Sequence, residues 1–261
     1  RKNQNYYCLT RDGQWLRTKA FPLMKAVADF WVSRVTRNDD GSYSICNVVG
    51  ADEYANGVDD NAFTNGAAIR ALEYACEAAR ICNEPVPEIW EEVGKGIRIL
   101  RFKDGVTREH ATYNGEMIKQ ADVNLLGYPL YFVGDAESQK KDMEYYVDKI
   151  DPQNGPAMSY SVFCVQYARM GDAKHAYEMF CRCYQPNLRA PFGVLAETPT
   201  SDNPYFMTGA GGLLQAVING FCGLQITDGG VEQLSSVLPA HWKKVTVKGV
   251  GPEKKMYTRE R

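Results

Sequence analysis

The chain has 261 residues, 44% apolar and 24% charged, which is ordinary for a soluble globular protein and enough for one large domain or two small ones. A formal net charge of −2 provides no basic field of the kind that marks a nucleic-acid binder, and no apolar run approaches the length of a membrane span. The 16 tyrosines and 4 tryptophans suit stacking on sugar faces and suit core packing equally.

The N-terminal residues Arg1–Asn5 have no apolar stretch behind them, so no signal peptide is expected. The chain starts abruptly, within what reads as continuing structure. That points to a piece of a longer protein and leaves the compartment open. Helical periodicity then dominates. Phe21–Val35 puts Leu23, Met24, Val27, Phe30, Trp31 and Val35 on one broad face, with Pro22 near its start. Asn38–Gly41 reads as a turn and Ser42–Val49 as a short extended segment. The clearest helix is Phe63–Ile81, whose Ala67, Ile69, Ala71, Leu72, Ala75, Ala78 and Ala79 make a surface for close packing.

Pro87 opens a helix through Ile97. Further helices are predicted over Ala121–Leu126, Ser138–Asp148, Ser159–Met170, Ala173–Tyr184 and Ala210–Phe221, with long loops at Lys103–Gly115 and Pro186–Pro204. From Gly223 the pattern changes. Val231–Leu238 and Val245–Val250 read as short strands, followed by a charged tail, Glu253–Arg261. No internal repeat supports a solenoid. The eight cysteines form no CxxC pair and only three histidines are present, so no zinc site is indicated; most of the cysteines read as small core residues.

Three stretches carry candidate chemistry. Gly50-Ala51-Asp52-Glu53-Tyr54 runs into Val58-Asp59-Asp60-Asn61-Ala62-Phe63-Thr64-Asn65, placing four carboxylates between Asp52 and Asp60 with few cations to pair them. A glycosidic oxygen must be protonated as it leaves. Glu53 could do this if burial and the charges of Asp52, Asp59 and Asp60 raised its pKa. An exposed acidic loop fits the same residues.

Glu197 ends an apolar approach, Pro191–Ala196, and could act as a base toward water or be a solvent-facing turn residue. Lys119-Gln120-Ala121-Asp122 offers several donors and an acceptor to vicinal sugar hydroxyls, and fits a helix start equally well. Thr208–Gln215 carries small residues at a helix entrance, but no Lys-Ser/Thr pair follows its glycines, so it is not a phosphate loop.

Taken in order, Phe30-Trp31, the Gly50–Tyr54 and Val58–Asn65 stretches, Lys119-Gln120-Ala121-Asp122-Val123 and Ala210-Gly211-Gly212 resemble the catalytic domain of glycoside hydrolase family 65, over about Trp15–Val250. One departure is Ala51, where the family often has Pro. The resemblance implies a mainly α fold: the later helices of an (α/α)6 barrel over residues 1–222, with residues 223–261 beginning a small C-terminal β region. It also implies an apolar face covered by self-association or by the missing part of the barrel.

Members of this family invert at an α-glucosidic bond, with phosphate or with water. By resemblance Glu53 matches the general acid, Glu197 the general base of the hydrolases, and Lys119 and Gln120 the residues that hold glucose. Tyr54, Asn61 and Tyr205 are candidates to line the pocket. No metal or organic cofactor is called for. The phosphorylases use a serine pair and a histidine for phosphate. Here Pro156-Ala157 stands about where the pair is expected, and no His lies between His175 and His241, which favours water. Such a reaction needs carboxyl groups roughly 6.5–9.5 Å apart. The alternatives are a disaccharide phosphorylase and an inactive truncated carbohydrate-binding fragment.

Overall fold

The computed structural model describes residues 2–132, 135–203 and 205–261. Arg1 and Pro204, the outer ends of two expected segments, lie outside the described residues. The fold is mainly α, and the contacts divide the chain into two compact units. The first comprises residues 1–51, 55–114 and 226–230; the second comprises 52–54, 115–225 and 231–261.

The first unit opens with helices α1 (Lys2–Thr10) and α2 (Gly13–Trp15), then a π-helical turn over Leu16–Ala20. None of these was expected from the sequence. Helix α3 (Phe21–Arg34) takes its place with Pro22 in the first turn. It buries Phe21, Met24 and Ala28, whereas Leu23, Val27 and Phe30, expected on the same packed face, stay exposed. Strands β1 (Thr36–Arg37) and β2 (Tyr43–Ser44) pair antiparallel around the expected turn, so only a fraction of Ser42–Val49 is strand.

Helix α4 (Ala62–Cys82) is the long one. The Asn61 side chain accepts the Thr64 N–H at 2.9 Å to cap its start, and Asn83, at φ 56° and ψ 36°, ends it in the left-handed region that Asn tolerates. Its buried stripe runs through Ala68, Ile69, Leu72, Ala75, Cys76, Ala78 and Ala79, so Ala67 and Ala71 lie off it. Helix α5 (Glu88–Gly96) follows Pro87, with Glu88 and Glu91 in the first turn and Lys95 in the last, each suited to the helix dipole.

In the second unit, the helix expected at Ala121–Leu126 is reduced to a 3-10 turn, Val123–Leu125. The Ala121 N–H donates to Ser159 Oγ at 3.1 Å, and Pro129 follows shortly, so tertiary partners and chain stereochemistry displace the helical ladder. Helix α6 (Ala136–Tyr146) tightens into a 3-10 turn at Val147–Lys149. Helices α7 (Met158–Met170) and α8 (Ala173–Arg182) pack as a hairpin across Gly171, which has φ 89°.

Strands β3 (Leu188–Arg189) and β4 (Val194–Leu195) form a small hairpin inside the loop expected from Pro186. Helix α9 (Met207–Gln215) continues as a π-helix over Ala216–Phe221 and lies on α7. A Cβ at Gly212 would stand 2.6 Å from Ser161 Oγ, and one at Gly209 would stand 3.3 Å from the Ala157 Cβ. The small residues at this helix entrance are therefore a packing device. Strands β5 (Leu224–Thr227) and β6 (Gly230–Gln233) follow, β6 being shorter than the expected Val231–Leu238. Strand β7 (Lys244–Val250) pairs antiparallel with β8 (Lys255–Glu260), with Val247 opposite Tyr257. The charged tail is thus largely a strand. Arg259 fixes it by donating to the carbonyls of Cys222, Leu234 and Ser236.

All eight cysteines are free thiols, six of them buried. No helix among the described residues is long and apolar enough to cross a membrane.

Candidate active site

The turn Asp52–Tyr54 belongs to the second unit, together with Lys119, Asp151 and Glu197. Its frame is the buried Asp52 carboxylate. Asp52 Oδ1 accepts the Lys119 N–H at 2.7 Å and the Tyr54 N–H at 3.2 Å, while the Asp52 N–H donates to Asp122 Oδ2 at 3.2 Å. Asp52 and Asp122 are both buried. They tie two stretches 67 residues apart into one corner. Beside it, Ile118 bridges Ile150 in parallel, and Asp151 N–H donates to the Ile118 carbonyl at 2.8 Å.

The side chains of Glu53 and Lys119 meet above this corner, with Lys119 Nζ 2.5 Å from Glu53 Oε2. The Glu53 side chain is 59% exposed and that of Lys119 is 20% exposed. Hydrogen bonding from Lys119 holds the Glu53 carboxyl below its usual value, and the Gln120 side chain adds a smaller donor effect. The same bond holds the Lys119 ammonium above its usual value; the charge of Glu197 adds to the effect of Glu53.

This corrects the expectation that burial and neighbouring acids raise the Glu53 pKa. Glu53 is neither buried nor ringed by unpaired carboxylates. Asp52 faces backbone N–H groups, Asp60 pairs with Arg98 at 2.6 Å, and Asp59 accepts the Asn47 N–H at 2.8 Å. The acids between 52 and 60 each have a partner, drawn from parts of the sequence too distant for local reading.

Gln120 is largely buried beside Lys119. Tyr54 is half exposed, and its hydroxyl donates to Asp151 Oδ2 at 2.8 Å. The Asn154 backbone and side-chain N–H groups, the Tyr54 hydroxyl and the Gln153 N–H hold the Asp151 carboxyl far below the usual carboxylate range. Asp151 was not singled out from sequence. Its Asp-Pro-Gln-Asn-Gly context was a turn signal that could have found it.

Glu197 lies two residues beyond the end of β4 and is partly exposed. Its carbonyl accepts the Ala157 N–H at 3.1 Å and the Asn187 side-chain amide at 3.0 Å, so Pro156-Ala157 abuts the Glu197 loop. Thr200 Oγ1 donates to the Gln153 carbonyl at 3.1 Å, linking this loop to the Asp151 turn. Tyr205 is 73% exposed and sits at φ 62°, a backbone region uncommon for a residue with a side chain this large. Asn61 lies in the first unit, fully buried, with its side-chain oxygen capping α4. Among the described residues no group of three or more His, Cys, Asp or Glu is placed to hold a metal ion.

The model of the glycosyl hydrolase family 65 central catalytic domain matches residues 2–95. The chain is 51% identical over 253 residues to a kojibiose hydrolase of Mucilaginibacter mallensis, an alignment covering 97% of this chain and 37% of the relative. It is 37% identical to a protein-glucosylgalactosylhydroxylysine glucosidase of Dictyostelium discoideum, covering 88% of this chain and 33% of that one. A solved structure, described as a putative kojibiose phosphorylase from human microbiome, superposes with a TM-score of 0.75 at 17% identity, over 99% of this chain and 39% of its own. The chain belongs to glycoside hydrolase family 65, and its helices are part of an α/α barrel. It spans about 37% of the length of the kojibiose hydrolase it matches.

Proposed function

We propose that this chain carries the acid and base of an inverting α-glucoside hydrolase, with kojibiose as the first substrate to test. Glu53 protonates the departing glycosidic oxygen. Glu197 takes a proton from a water that attacks the anomeric carbon on the opposite face, and the two carboxyl groups are expected to stand roughly 6.5–9.5 Å apart around that water. Lys119 and Gln120 hold the glucose hydroxyls, and Tyr54 and Tyr205 line the pocket. The observation that carries this reading is the Lys119 ammonium, which sits 2.5 Å from Glu53 and also feels the charge of Glu197.

In this reading Glu53 becomes an acid when its resting ion pair is broken. A sugar hydroxyl that accepts from Lys119 draws the ammonium off Glu53. The glucose ring covers the exposed carboxylate and desolvates it. Both changes favour the protonated form. Water is favoured over phosphate because Pro156-Ala157, beside Glu197, offers no hydroxyl, and a phosphate there would meet the Glu197 charge.

The substrate preference rests on the 51% identity to a kojibiose hydrolase; the similarity to a protein-glucosylgalactosylhydroxylysine glucosidase keeps a glucosylated protein as the second substrate to test. Residues 223–261 are read as the opening of a C-terminal β region. The exposed Leu23, Val27 and Phe30 of α3 are read as a face covered by more of the barrel or by a second copy.

The test is glucose release by the whole protein from a panel of α-linked disaccharides and a glucosylgalactosylhydroxylysine peptide, with and without phosphate. Glu53→Gln and Glu197→Gln variants are run alongside. Loss of turnover in both variants, with β-glucose formed in the absence of phosphate, is expected. Hydrolysis that survives either substitution, or cleavage that requires phosphate, ends the proposal.

A further inference from the structure

The Glu197 side chain is carried by a loop that, among the described residues, has no helix or sheet ladder of its own between Leu195 and Met207. Besides the bonds from Ala157 and Thr200, a pair of side chains from the preceding turn and strand fixes the loop. Asn187 is 2% exposed, and its amide Nδ2 donates to the carbonyls of Ala196 at 3.1 Å and Glu197 at 3.0 Å. The Asn187 carbonyl in turn accepts the Ala196 N–H at 2.8 Å. Arg189 continues the series, its Nη2 donating to Thr198 O at 3.3 Å, Pro199 O at 2.7 Å and Ser201 O at 2.8 Å. Four consecutive carbonyls, 196 to 199, therefore accept from one of these two residues. All of these donors land on main-chain oxygens, so they set the direction of the Glu197 Cα–Cβ bond without engaging its carboxylate.

We propose that Asn187, assisted by Arg189, is a positioning residue that aims Glu197; this rests on the reading of Glu197 as the base. A base must meet its water within a few tenths of an ångström, and a misplacement of about 1 Å costs on the order of 100-fold in rate. Neither residue is placed to bind the glucose ring, which is assigned to Lys119 and Gln120. The effect should therefore fall on kcat and leave KM nearly unchanged.

The experiment uses the whole protein with an α-glucosyl substrate, with and without sodium azide. Asn187→Ala is expected to lower kcat about 100-fold, with KM moving less than about threefold. Azide needs no base, because the anion attacks without losing a proton. Its nitrogen bonds to the anomeric carbon on the β face as the C–O bond breaks, Glu53 gives its proton to the departing oxygen, and β-glucosyl azide accumulates. Rescue of Asn187→Ala by azide supports the positioning role, since a merely loosened fold would not be rescued.

Glu197→Ala is the control. If it keeps hydrolysis, or azide fails to rescue it, the base assignment falls and the inference falls with it. If Glu197→Ala is dead and rescued while Asn187→Ala keeps its kcat, or loses it without rescue, only the positioning role is overturned. Should Asn187→Ala not fold, Arg189→Ala, at a side chain 25% exposed, carries the same test with the same outcomes.

Discussion

Lys119 meets Glu53 through its ammonium at 2.5 Å, while its backbone N–H rests on Asp52, the residue just before Glu53, at 2.7 Å. Two adjacent acids thus fix the two ends of one lysine. The buried one sets where the lysine starts, and the exposed one sets where its charge ends.

Removing that charge should be visible on Glu53 itself. In Lys119→Met the Glu53 carboxyl loses the donor that lowers its pKa, so its titration should move up toward the ordinary carboxylate range. A carboxyl-detected NMR titration reads this directly, and an unmoved Glu53 resonance would rule out the ion pair in solution. If Lys119 holds the glucose as proposed, kcat/KM should also fall about 10–100-fold.

Asp52→Ala strips a buried acceptor from the Lys119 and Tyr54 N–H groups. It should destabilise the protein by about 1–3 kcal/mol and reduce turnover, because both Glu53 and Lys119 lose their common anchor. Asp52→Asn keeps one carbonyl oxygen for the Lys119 N–H and should recover most of the stability. Urea unfolding and initial rates on the three proteins check the ordering.

The pH dependence of stability should carry the mark of Asp151. Its folded pKa lies far below the unfolded value of about 3.9. The folded state therefore favours the ionised form, and this contribution is complete above the unfolded pKa. It disappears as pH falls from there toward the folded value. Asp151→Ala should cost about 1.5–3 kcal/mol at pH 7, and the gap to wild type should narrow below about pH 4. Equal gaps at pH 7 and pH 3 in denaturant titrations would contradict it.

Asn61→Ala should cost about 1 kcal/mol or more through the lost cap on α4, and Asn61→Ser, which still accepts the Thr64 N–H, should recover part of it; Asn61→Asp keeps the acceptor but buries a charge and loses the amide bond to the Glu109 carbonyl, so it should not be neutral. Thermal melts of the three variants decide this.

The helices were the legible part of the fold. The α4 stripe repeats at helical spacing, Pro87 announces α5, and Gly171 separates α7 from α8, all through local rules. Helix α1 was hidden because Lys2–Thr10 buries only Gln4 and Cys8 and shows no apolar stripe. The Ala121–Leu126 segment had helical composition, but Ser159 lies 38 residues away and takes its first N–H. Strand β8, Lys-Met-Tyr-Thr-Arg-Glu, carries no strict alternation of charged and apolar residues, and only its register against β7 distinguishes it from a tail.

At the candidate site, residue types were readable and pairings were not. Glu53, Lys119 and Gln120 stood out by their neighbours in sequence. That Lys119 would neutralise Glu53 from 66 residues away did not. Asn187 gave no sign at all, because its partners are carbonyl oxygens, which every residue carries.

The contact between Ala157 and Glu197 limits how the protein could be redesigned. Hydroxyls grafted at positions 156 and 157 to recruit an inorganic anion would sit against an amide already committed to the Glu197 carbonyl and beside a like charge. Conversion to a phosphate-using catalyst would therefore demand replacing both segments at once, and single exchanges along the way should be dead ends.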